Sequence, residues 1–395
     1  MLTLDKAKES LIGKKLNENH AKLQYPNNSN LTVLLMQEMD NTSSIWNNYF
    51  PILPKNLDSF PILYGNKELE ILEGTDFKVS IAEYKKDLKA DYEEICRCAP
   101  EFRKFALIEF EKTRVLVNSR LFGLKKENNQ DNDSVVPLAD MFNFSSTKEH
   151  THWEYNSSSN AFEVSAEEEI QRGEEIFEGY GLKPNIQYLM FYGFLIPEND
   201  KNKTRIYVNL NKNDENFIFK NHLLSLGETF SFYIFEEDSG NHFNRLMGIL
   251  RIINFEGDVS VLEEIKYKVL KNQYAKHSHI RRSIPVISLE NEKKSLEMLL
   301  SNVKERLSRF NDSYESDMEE LKQNQNLSYN ERNCMIIRSD EKRILLFYIN
   351  LALVILPLFS MELTDAYLMA KKVMNEGKYV CYLNSLIETI FHVPN

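Results

Sequence analysis

The residue types best suited to chemistry are concentrated in residues 134–199. A short apolar run at 135–139 leads into Asp140 and Asn143, and a strand end of this kind delivers polar side chains to a site. Further along, Tyr180 stands between two glycines, which indicates a backbone that passes close to another group because glycine has no Cβ. The pattern predicts a binding site made of strand-end polar groups and a closely held tyrosine.

The elements that would position these residues are short strands and turns. Residues 152–155 and 161–164 alternate in character around the turn cluster 156–160, which predicts a β-hairpin. An Arg-Gly turn at 172–173 then precedes another short strand, and the glycine-flanked tyrosine follows it. We therefore expect a small β-structure around the site.

Other kinds of site are disfavoured by the same stretch. His150 and His152 have no acidic or cysteine partner at metal-ligand spacing, so solvated strand positions are expected and no metal site is predicted. The acidic residues at 167–169 and 174–175 fit a solvated edge and a turn better than a catalytic carboxylate pair. Neither a Walker loop nor a GxGxxG motif occurs in the sequence.

Composition indicates a globular protein with two domains. The chain has 395 residues, of which 42% are hydrophobic and 27% charged, which is ordinary for globular proteins. The formal net charge of −11 argues against a nucleic-acid-binding surface. An acidic surface would suit a substrate that presents lysine.

Cysteine usage and hydropathy bear on the compartment. The four cysteines form no CxxC pair, which favours free thiols in a reducing compartment. Residues 1–15 contain no apolar core of the signal-peptide type. The apolar run at 345–359 is shorter than the roughly 20 residues of a membrane-spanning helix, so a buried helix is expected. These features predict a protein of the cytoplasm or nucleus that does not span a membrane.

Apolar spacing divides the remainder of the chain into helical segments. Helices are predicted within 2–16, 31–39 and 66–124, with a proline-rich break at 46–54. Polar residues at 198–203 mark a domain boundary, and one short strand at 205–208 is expected after it. The rest is predicted to be helical, including a helix from 289 to 310 that Ser288 caps and a second over 331–356.

Four segments in a fixed order carry a family resemblance: PLADMFN at 137–143, GEEIF at 173–177, YGLKPN at 180–185 and YGF at 192–194. Together they resemble the SET domain of the class of protein methyltransferases that includes the Rubisco large-subunit methyltransferases. The resemblance covers nearly the whole chain. It implies an α+β fold, with a SET-type β-fold in residues 1–200 that a helical insertion interrupts at about 31–117. An all-helical substrate-binding domain would follow in residues 201–395.

The resemblance also implies a function, which is methyl transfer from S-adenosylmethionine to a lysine side chain of a non-histone protein. Methyl transfer from a sulfonium is an in-line displacement, so alignment matters more than a strong acid or nucleophilic side chain. An apolar tunnel would favour the neutral lysine amine. The alternative is a catalytically inactive relative that serves as a binding or scaffold module in an assembly.

Site residues follow from the resemblance position by position. Tyr180 would lie beside the transferred methyl group, Asp140 would support the cofactor site, and Tyr192 and Phe122 would line the substrate side. The residues implied to contact or pack near the cofactor are Arg120, Asn143, Phe144 and Phe194. A plain core role remains open for Tyr192, Phe194 and Phe122, and a surface ion pair remains open for Arg120.

Phe144 stands where the family usually has the histidine of an Asn-His pair, and two further comparisons with the family lead to expectations. Family members directed at histidine need a polar group where this chain has Phe122, so a lysine acceptor is predicted. The sequence also begins after the place of the family's glycine-rich cofactor-binding segment. We therefore expect residues 1–16 or a partner chain to cover the sheet edge there, beside a cofactor pocket that is more open than usual.

Overall fold

A computed structural model describes residues 1–124, 130–148, 150–156, 158–159, 161–224, 229–264 and 284–391. The chain divides into two compact units. The first contains Met1–Glu70, Phe77–Asn199 and Ser328–Asn333, and the second contains Ile71–Asp76, Asp200–Leu327 and Cys334–Asn395.

Very short strands build the β-structure of the first unit. The strands β1 (Leu2–Thr3), β2 (Leu121–Phe122) and β3 (Ser134–Val135) form an antiparallel sheet with β3 in the middle. Leu2 lies opposite Val135, and the backbone N–H of Leu4 donates to Asp133 O at 2.9 Å. The N-terminal residues thus cover one edge of β3, as one of the two expected arrangements requires.

Two further strand pairs lead to the predicted site. The strand β4 (Asn143–Phe144) runs parallel to β7 (Phe177–Glu178), so two segments about thirty positions apart in sequence end side by side. The predicted hairpin is confirmed, with strands β5 (Thr151–Asn156) and β6 (Ala161–Ala166) paired in antiparallel register. Its inner aromatic residues pack on a small core formed by Phe122, Leu124 and Val136.

Helices occupy most of the predicted insertion. The α-helices of the first part of the chain are α1 (Leu4–Glu9), α2 (Leu11–Glu18), α3 (Pro26–Asp40), α4 (Asn66–Ile71), α5 (Asp76–Cys98), α6 (Leu107–Ser119) and α7 (Asn185–Tyr192). Short 3-10 helices lie at Phe50–Ile52, Pro61–Leu63, Pro100–Lys104 and Ala139–Met141. The proline-rich break expected at 46–54 falls in the irregular chain after α3, because proline lacks the backbone donor that an α-helix needs.

A buried carboxylate ties three helices of the insertion together. Helix α3 has no side-chain cap of its own, and Asp91 of α5 accepts the backbone N–H groups of Gln24 and Tyr25 just before α3 begins. Asp91 also accepts the hydroxyl of Ser29 at 2.6 Å and lies 3.8 Å from the guanidinium of Arg114 on α6. This arrangement fixes α6, whose C-terminal end supplies part of the site.

The second unit is mainly helical, but the prediction of an all-helical domain is wrong. Strands β8 (Lys203–Asn209) and β9 (Thr229–Phe235) form an antiparallel pair, of which only the residues 205–208 were expected as a strand. Alternate residues of β8, including Thr204, Ile206 and Val208, are buried, which is the pattern of a half-buried strand. The helices are α8 (Phe217–Leu224), α9 (Gly240–Ile253), α10 (Leu289–Leu307), α11 (Tyr314–Gln323), α12 (Tyr329–Ile355), α13 (Leu363–Asn375) and α14 (Val380–Thr389).

The predicted start of helix α10 is confirmed. Ser288 accepts the backbone N–H of Asn291, as an N-cap residue does. The apolar stripe of this helix, including Leu296, Leu299 and Val303, lies in the hydrophobic core of the second unit. The core therefore forms around the face that the sequence pattern indicates.

Two expectations about hydropathy and thiols can be compared with the structure. Residues Tyr329–Ser360 form a stretch long and apolar enough to cross a membrane by length and composition, but half of its most apolar window is buried. Core helices of ordinary globular domains pass the same test, so this is weak evidence for a span. All four cysteines are thiols outside disulfide bonds, with Cys96, Cys98 and Cys334 buried and Cys381 exposed.

Candidate active site

Two cavities of the first unit share one wall. The larger is a cleft of about 930 Å³, and the smaller has a volume of about 190 Å³. We call them the larger cleft and the smaller cavity. The side chains that line both are Ser119, Arg120, Asp140, Phe142, Tyr180 and Tyr192.

Several chain segments meet at this wall because short elements end there. Helix α6 stops at Ser119, and Arg120 follows it as the C-terminal cap residue. The 3-10 helix Ala139–Met141 supplies Asp140, and the parallel pairing of β4 with β7 places the start of the 179–181 turn beside it. Helix α7 ends at Tyr192, and the following Gly193 has a φ of +75°, where a Cβ would also clash with Ser59.

A buried ion pair forms the polar part of the wall. Arg120 Nη1 donates to the backbone oxygen of Asp140 at 2.9 Å and to its Oδ2 at 3.1 Å. Tyr49 donates its hydroxyl to the same carboxylate oxygen, and burial together with that negative charge raises the pKa of Tyr49. Asp140 Oδ1 and Arg120 Nε are buried and have no hydrogen-bond partner among the residues that the structure describes. Buried polar atoms of this kind usually have one, so the wall offers unfilled hydrogen-bonding capacity.

Tyr180 is held rigidly at the junction of the two cavities. Its hydroxyl donates to the backbone oxygen of Phe142 at 2.9 Å, and its ring stacks on Tyr192 with centroids 4.9 Å apart. Burial, followed by the nearby Tyr192, raises the pKa of Tyr180 to about 12, so its hydroxyl stays protonated at neutral pH. Gly181 has a φ of +74°, which lets the chain turn directly after Tyr180.

Aromatic rings form one side of the larger cleft. Phe144 lies 5.3 Å from the ring centroid of Tyr180 and stacks on Phe194 at 5.4 Å. Asn143 is exposed at the cleft and donates its side-chain amide to Glu175 Oε1 at 2.6 Å. The cleft therefore combines flat apolar faces with an exposed amide, and the ion pair lies in its shared wall.

The smaller cavity has mostly aromatic and apolar walls. Phe122 packs edge-to-face against Trp153 at 5.3 Å, and the small Ala139 leaves space beside them. Lys183 donates its amine to the backbone oxygen of Tyr180, and its nitrogen lies 5.9 Å from the ring centroid of Tyr192. Burial lowers the pKa of Lys183. Glu178, which is also in this wall, accepts the hydroxyl of Thr151.

The structure brings all eight sequence-predicted site residues to these two cavities. Four of them, Arg120, Asp140, Tyr180 and Tyr192, line the shared wall. Phe122 lines only the smaller cavity, whereas Asn143, Phe144 and Phe194 line only the larger cleft. The cofactor and substrate roles that the resemblance implies for these residues stay predictions.

The residues of the site that sequence reasoning missed include Tyr49, Trp153 and Lys183. Tyr49 falls in the proline-rich break at 46–54, and nothing local indicates its contact with Asp140. Trp153 could have been found from the inward-facing positions of the predicted hairpin. Lys183 belongs to the segment 180–185 that carried the resemblance, but no role was predicted for it.

The expectation for His150 is wrong, whereas that for His152 is confirmed. His150 is buried, its Nδ1 accepts the backbone N–H of Phe177 at 3.3 Å, and its Nε2 lies 3.4 Å from Glu168. The backbone N–H of His150 also donates to the backbone oxygen of Phe177. This hydrogen bond holds His150 against β7, and the residue is buried for that reason. His152 is exposed on β5. In the part of the chain that the structure describes, no group of three or more potential ligands could hold a metal ion.

Comparison with known proteins supports the predicted class. Residues 211–345 match the family model described as Rubisco LSMT substrate-binding. The actin-histidine N-methyltransferase of Rhinolophus ferrumequinum is 25% identical over 361 residues, which are 87% of this chain and 59% of that protein. The Pisum sativum chloroplastic ribulose-1,5-bisphosphate carboxylase/oxygenase large subunit N-methyltransferase is 28% identical over 208 residues, or 47% of this chain and 40% of that protein. The chain thus spans less than two thirds of the length of these relatives.

Solved structures show the same fold. The SET domain of LSMT bound to MeLysine and AdoHcy superimposes with a TM-score of 0.73 at 21% identity, over 91% of this chain and 80% of the other. Rubisco LSMT bound to AdoMet gives a TM-score of 0.70 over the same shares of the two chains. The resemblance read from the motifs is therefore confirmed: the chain is similar in sequence to these two methyltransferases, and its fold is that of the SET domain of LSMT.

Proposed function

We propose that this chain transfers a methyl group from S-adenosylmethionine to a lysine side chain of a non-histone protein. The observation that carries the proposal is the wall shared by the larger cleft and the smaller cavity, with Tyr180 in it. An in-line displacement needs two reactants that approach the transferred carbon from opposite sides. Two cavities that share these residues would let the cofactor and the acceptor approach each other in this way. The larger cleft takes the cofactor, and the smaller cavity takes the acceptor.

The residues of the larger cleft fit the cofactor. Its volume of about 930 Å³ is adequate for a nucleoside-sized ligand. The rings of Phe144 and Phe194 offer flat apolar faces to an adenine, and the orphaned atoms of Asp140 and Arg120 offer hydrogen bonds. The amide of Asn143 is exposed at the same cleft. Bound S-adenosylmethionine would supply a methyl group on a positively charged sulfur.

The protein's own part in the reaction is alignment and desolvation. Tyr180 stays neutral at physiological pH, and the hydrogen bond to Phe142 O fixes the direction of its hydroxyl. The oxygen lone pairs of Tyr180 are left as acceptors toward the acceptor amine or the transferred methyl group. Tyr192 packs on one face of the Tyr180 ring. Because the ring is already in place, little conformational entropy is lost when the substrates bind.

The walls of the smaller cavity favour lysine over histidine. Phe122 offers no polar group that could orient an imidazole, and the rings of Phe122 and Trp153 suit the unbranched alkyl stem of a lysine. Relatives include methyltransferases of both kinds, namely the actin-histidine enzyme and the solved LSMT structure with MeLysine. Mass spectrometry that located the transferred methyl on a substrate histidine would contradict the lysine part of the proposal.

We expect the purified protein to bind S-adenosylmethionine. A ligand that binds only the folded state stabilises it by about 2.7 kcal/mol at a hundredfold excess over its dissociation constant. The measurement is a thermal shift and a calorimetric titration, with adenosine triphosphate as a control of similar size. Failure to bind at millimolar cofactor would favour the other class of function, a binding or scaffold module without catalysis.

A Tyr180→Phe variant should lower kcat at least about tenfold, since loss of about 1.4 kcal/mol of transition-state stabilisation already has that effect. Cofactor affinity should change little because the ring and its stacking on Tyr192 remain. The matched control is Tyr155→Phe, a tyrosine of β5 that packs in the hairpin core. A folded Tyr180→Phe protein with wild-type kcat would remove Tyr180 from the reaction.

A further inference from the structure

Lys183 places an amine in the wall of the smaller cavity. Its nitrogen donates to the backbone oxygen of Tyr180, the residue at the junction of the two cavities. The same nitrogen is 3.3 Å from the position that a Cβ on Gly181 would occupy, and it lies above the ring of Tyr192 at 5.9 Å. A cationic side chain therefore faces the space that the proposed acceptor enters.

The other charged side chains of this wall have hydrogen-bond partners of their own. Arg120, at the end of α6, is paired with Asp140 of the 3-10 helix. Glu178 of β7 is buried and accepts the Thr151 hydroxyl. The remaining titratable groups, Tyr180 and Tyr192, have raised pKa values because of burial and remain neutral. Lys183 hydrogen-bonds to a neutral carbonyl, so no carboxylate neutralises its charge through that contact.

We propose that the charge of Lys183 determines the protonation state of the acceptor: it disfavours a second ammonium in the smaller cavity, so that the acceptor lysine is bound as the neutral amine. The inference rests on the proposed function and deepens it. A like charge a few ångströms away lowers the pKa of an amine. At an effective dielectric constant of about 20, two unit charges about 6 Å apart repel enough to change an equilibrium constant by more than tenfold.

The reaction requires this deprotonation. The acceptor ammonium first releases its proton to water, because a protonated nitrogen has no lone pair. The lone pair then forms the new nitrogen–carbon bond as the carbon–sulfur bond breaks and its electrons stay on sulfur. A free lysine has a pKa near 10.4, so at pH 7 only about one molecule in 2,500 carries the reactive form. A side chain that lowers the pKa of the bound lysine increases the fraction of neutral amine and therefore raises the rate.

Three substitutions separate charge from structure. Lys183→Gln keeps an N–H donor for the Tyr180 carbonyl and removes the charge, Lys183→Arg keeps both donor and charge, and Lys183→Met removes both. The matched control is Leu182→Gln, a change at the exposed neighbouring side chain. The kcat of methyl transfer is followed from pH 6.5 to 9.5, because the pH profile of kcat reports groups in the enzyme–substrate complex.

Charge control predicts a specific pattern. In Lys183→Gln and Lys183→Met, the apparent pKa in the kcat profile should rise by about one unit, which lowers kcat about tenfold at pH 7.5 and much less at pH 9.5. Lys183→Arg should restore the wild-type profile. Profiles that coincide for wild type and Lys183→Gln would overturn the inference, as would an equal loss at every pH. Failure of Lys183→Arg to restore the wild-type profile would also overturn the inference. That result would indicate that Lys183 acts by accepting a proton, which arginine cannot do, and not through its charge.

A measurement without turnover keeps the inference separate from the proposed function. The probe is Nα-acetyl-L-lysine methylamide, labelled with ¹³C at the ε-carbon and bound to the wild-type protein with S-adenosylhomocysteine. Its pKa in the complex, measured by NMR, should lie at least one unit below the value of the free probe. A lowered pKa of the bound probe, together with no methyl transfer, would contradict the proposed function but not the inference. An unchanged or raised value, or a probe that does not bind, would sink the inference even if turnover is observed.

Discussion

An Arg120→Met variant should lose about 3 kcal/mol of unfolding free energy and nearly all measurable cofactor binding. The substitution leaves the carboxylate of Asp140, whose side chain is fully buried, with the Tyr49 hydroxyl as its one donor among the described residues. Breaking a buried ion pair on one side is costly because an uncompensated charge stays behind. Chemical denaturation and calorimetric titration with S-adenosylmethionine measure the two effects.

A second substitution can separate stability from binding in this cluster. The double variant Arg120→Met, Asp140→Asn should recover much of the lost stability, since the isolated charge is gone, but it should not recover cofactor affinity. Arg172→Met, at an exposed arginine of the predicted turn, is the control and should leave both quantities nearly unchanged. A stability loss below about 1 kcal/mol in Arg120→Met would show that the pair behaves as a surface ion pair.

The parts of the site that could be predicted are those in which neighbouring residues act together. The segments 137–143 and 180–185 each carry their glycine, proline or polar residues within a few positions, so local sequence reveals them. The contact of Tyr49 with Asp140 joins residues 91 positions apart and leaves no periodic pattern. Pairing of β4 with β7 involves only two residues on each strand, which is too short for alternation to be recognised.

The second unit shows a different reason for error. Residues 203–209 alternate between buried and partly exposed positions, and this pattern was partly recognised as a strand at 205–208. Its partner β9 lies some twenty residues later, beyond α8, and a strand cannot be counted as part of a sheet until its partner is found. Helical stripes such as that of α10 need no distant partner to be recognised, and the all-helical domain itself was only what the family resemblance implied.

An Arg306→Met variant should lose about 3–5 kcal/mol of unfolding free energy at pH 8. Arg306 of α10 is buried, donates to Glu341 Oε2 at 2.6 Å and to Gly74 O at 2.6 Å, and lies 3.5 Å from Asp76. Without it, two carboxylates remain close together in the second unit. The matched control is Arg309→Met, just after the end of α10, because Arg309 is 45% exposed and pairs with Glu305 at the surface. Exposed pairs contribute at most about 1 kcal/mol.

The loss in Arg306→Met should depend on pH, and the sign follows from Glu341. Burial raises the pKa of Glu341 to about 7, while Arg306 opposes this shift and Asp76 adds to it. Between its ordinary value near 4.5 and about pH 7, the folded carboxyl therefore binds a proton that the unfolded chain has released, so stability falls as pH rises through this window. Removing Arg306 raises the pKa of Glu341 further and extends the fall above pH 7. Denaturation of the variant at pH 5 and pH 8 should show the smaller loss of unfolding free energy at pH 5, where Glu341 can stay protonated. Equal losses at the two pH values would mean that lost packing, and not the buried charge, destabilises the protein.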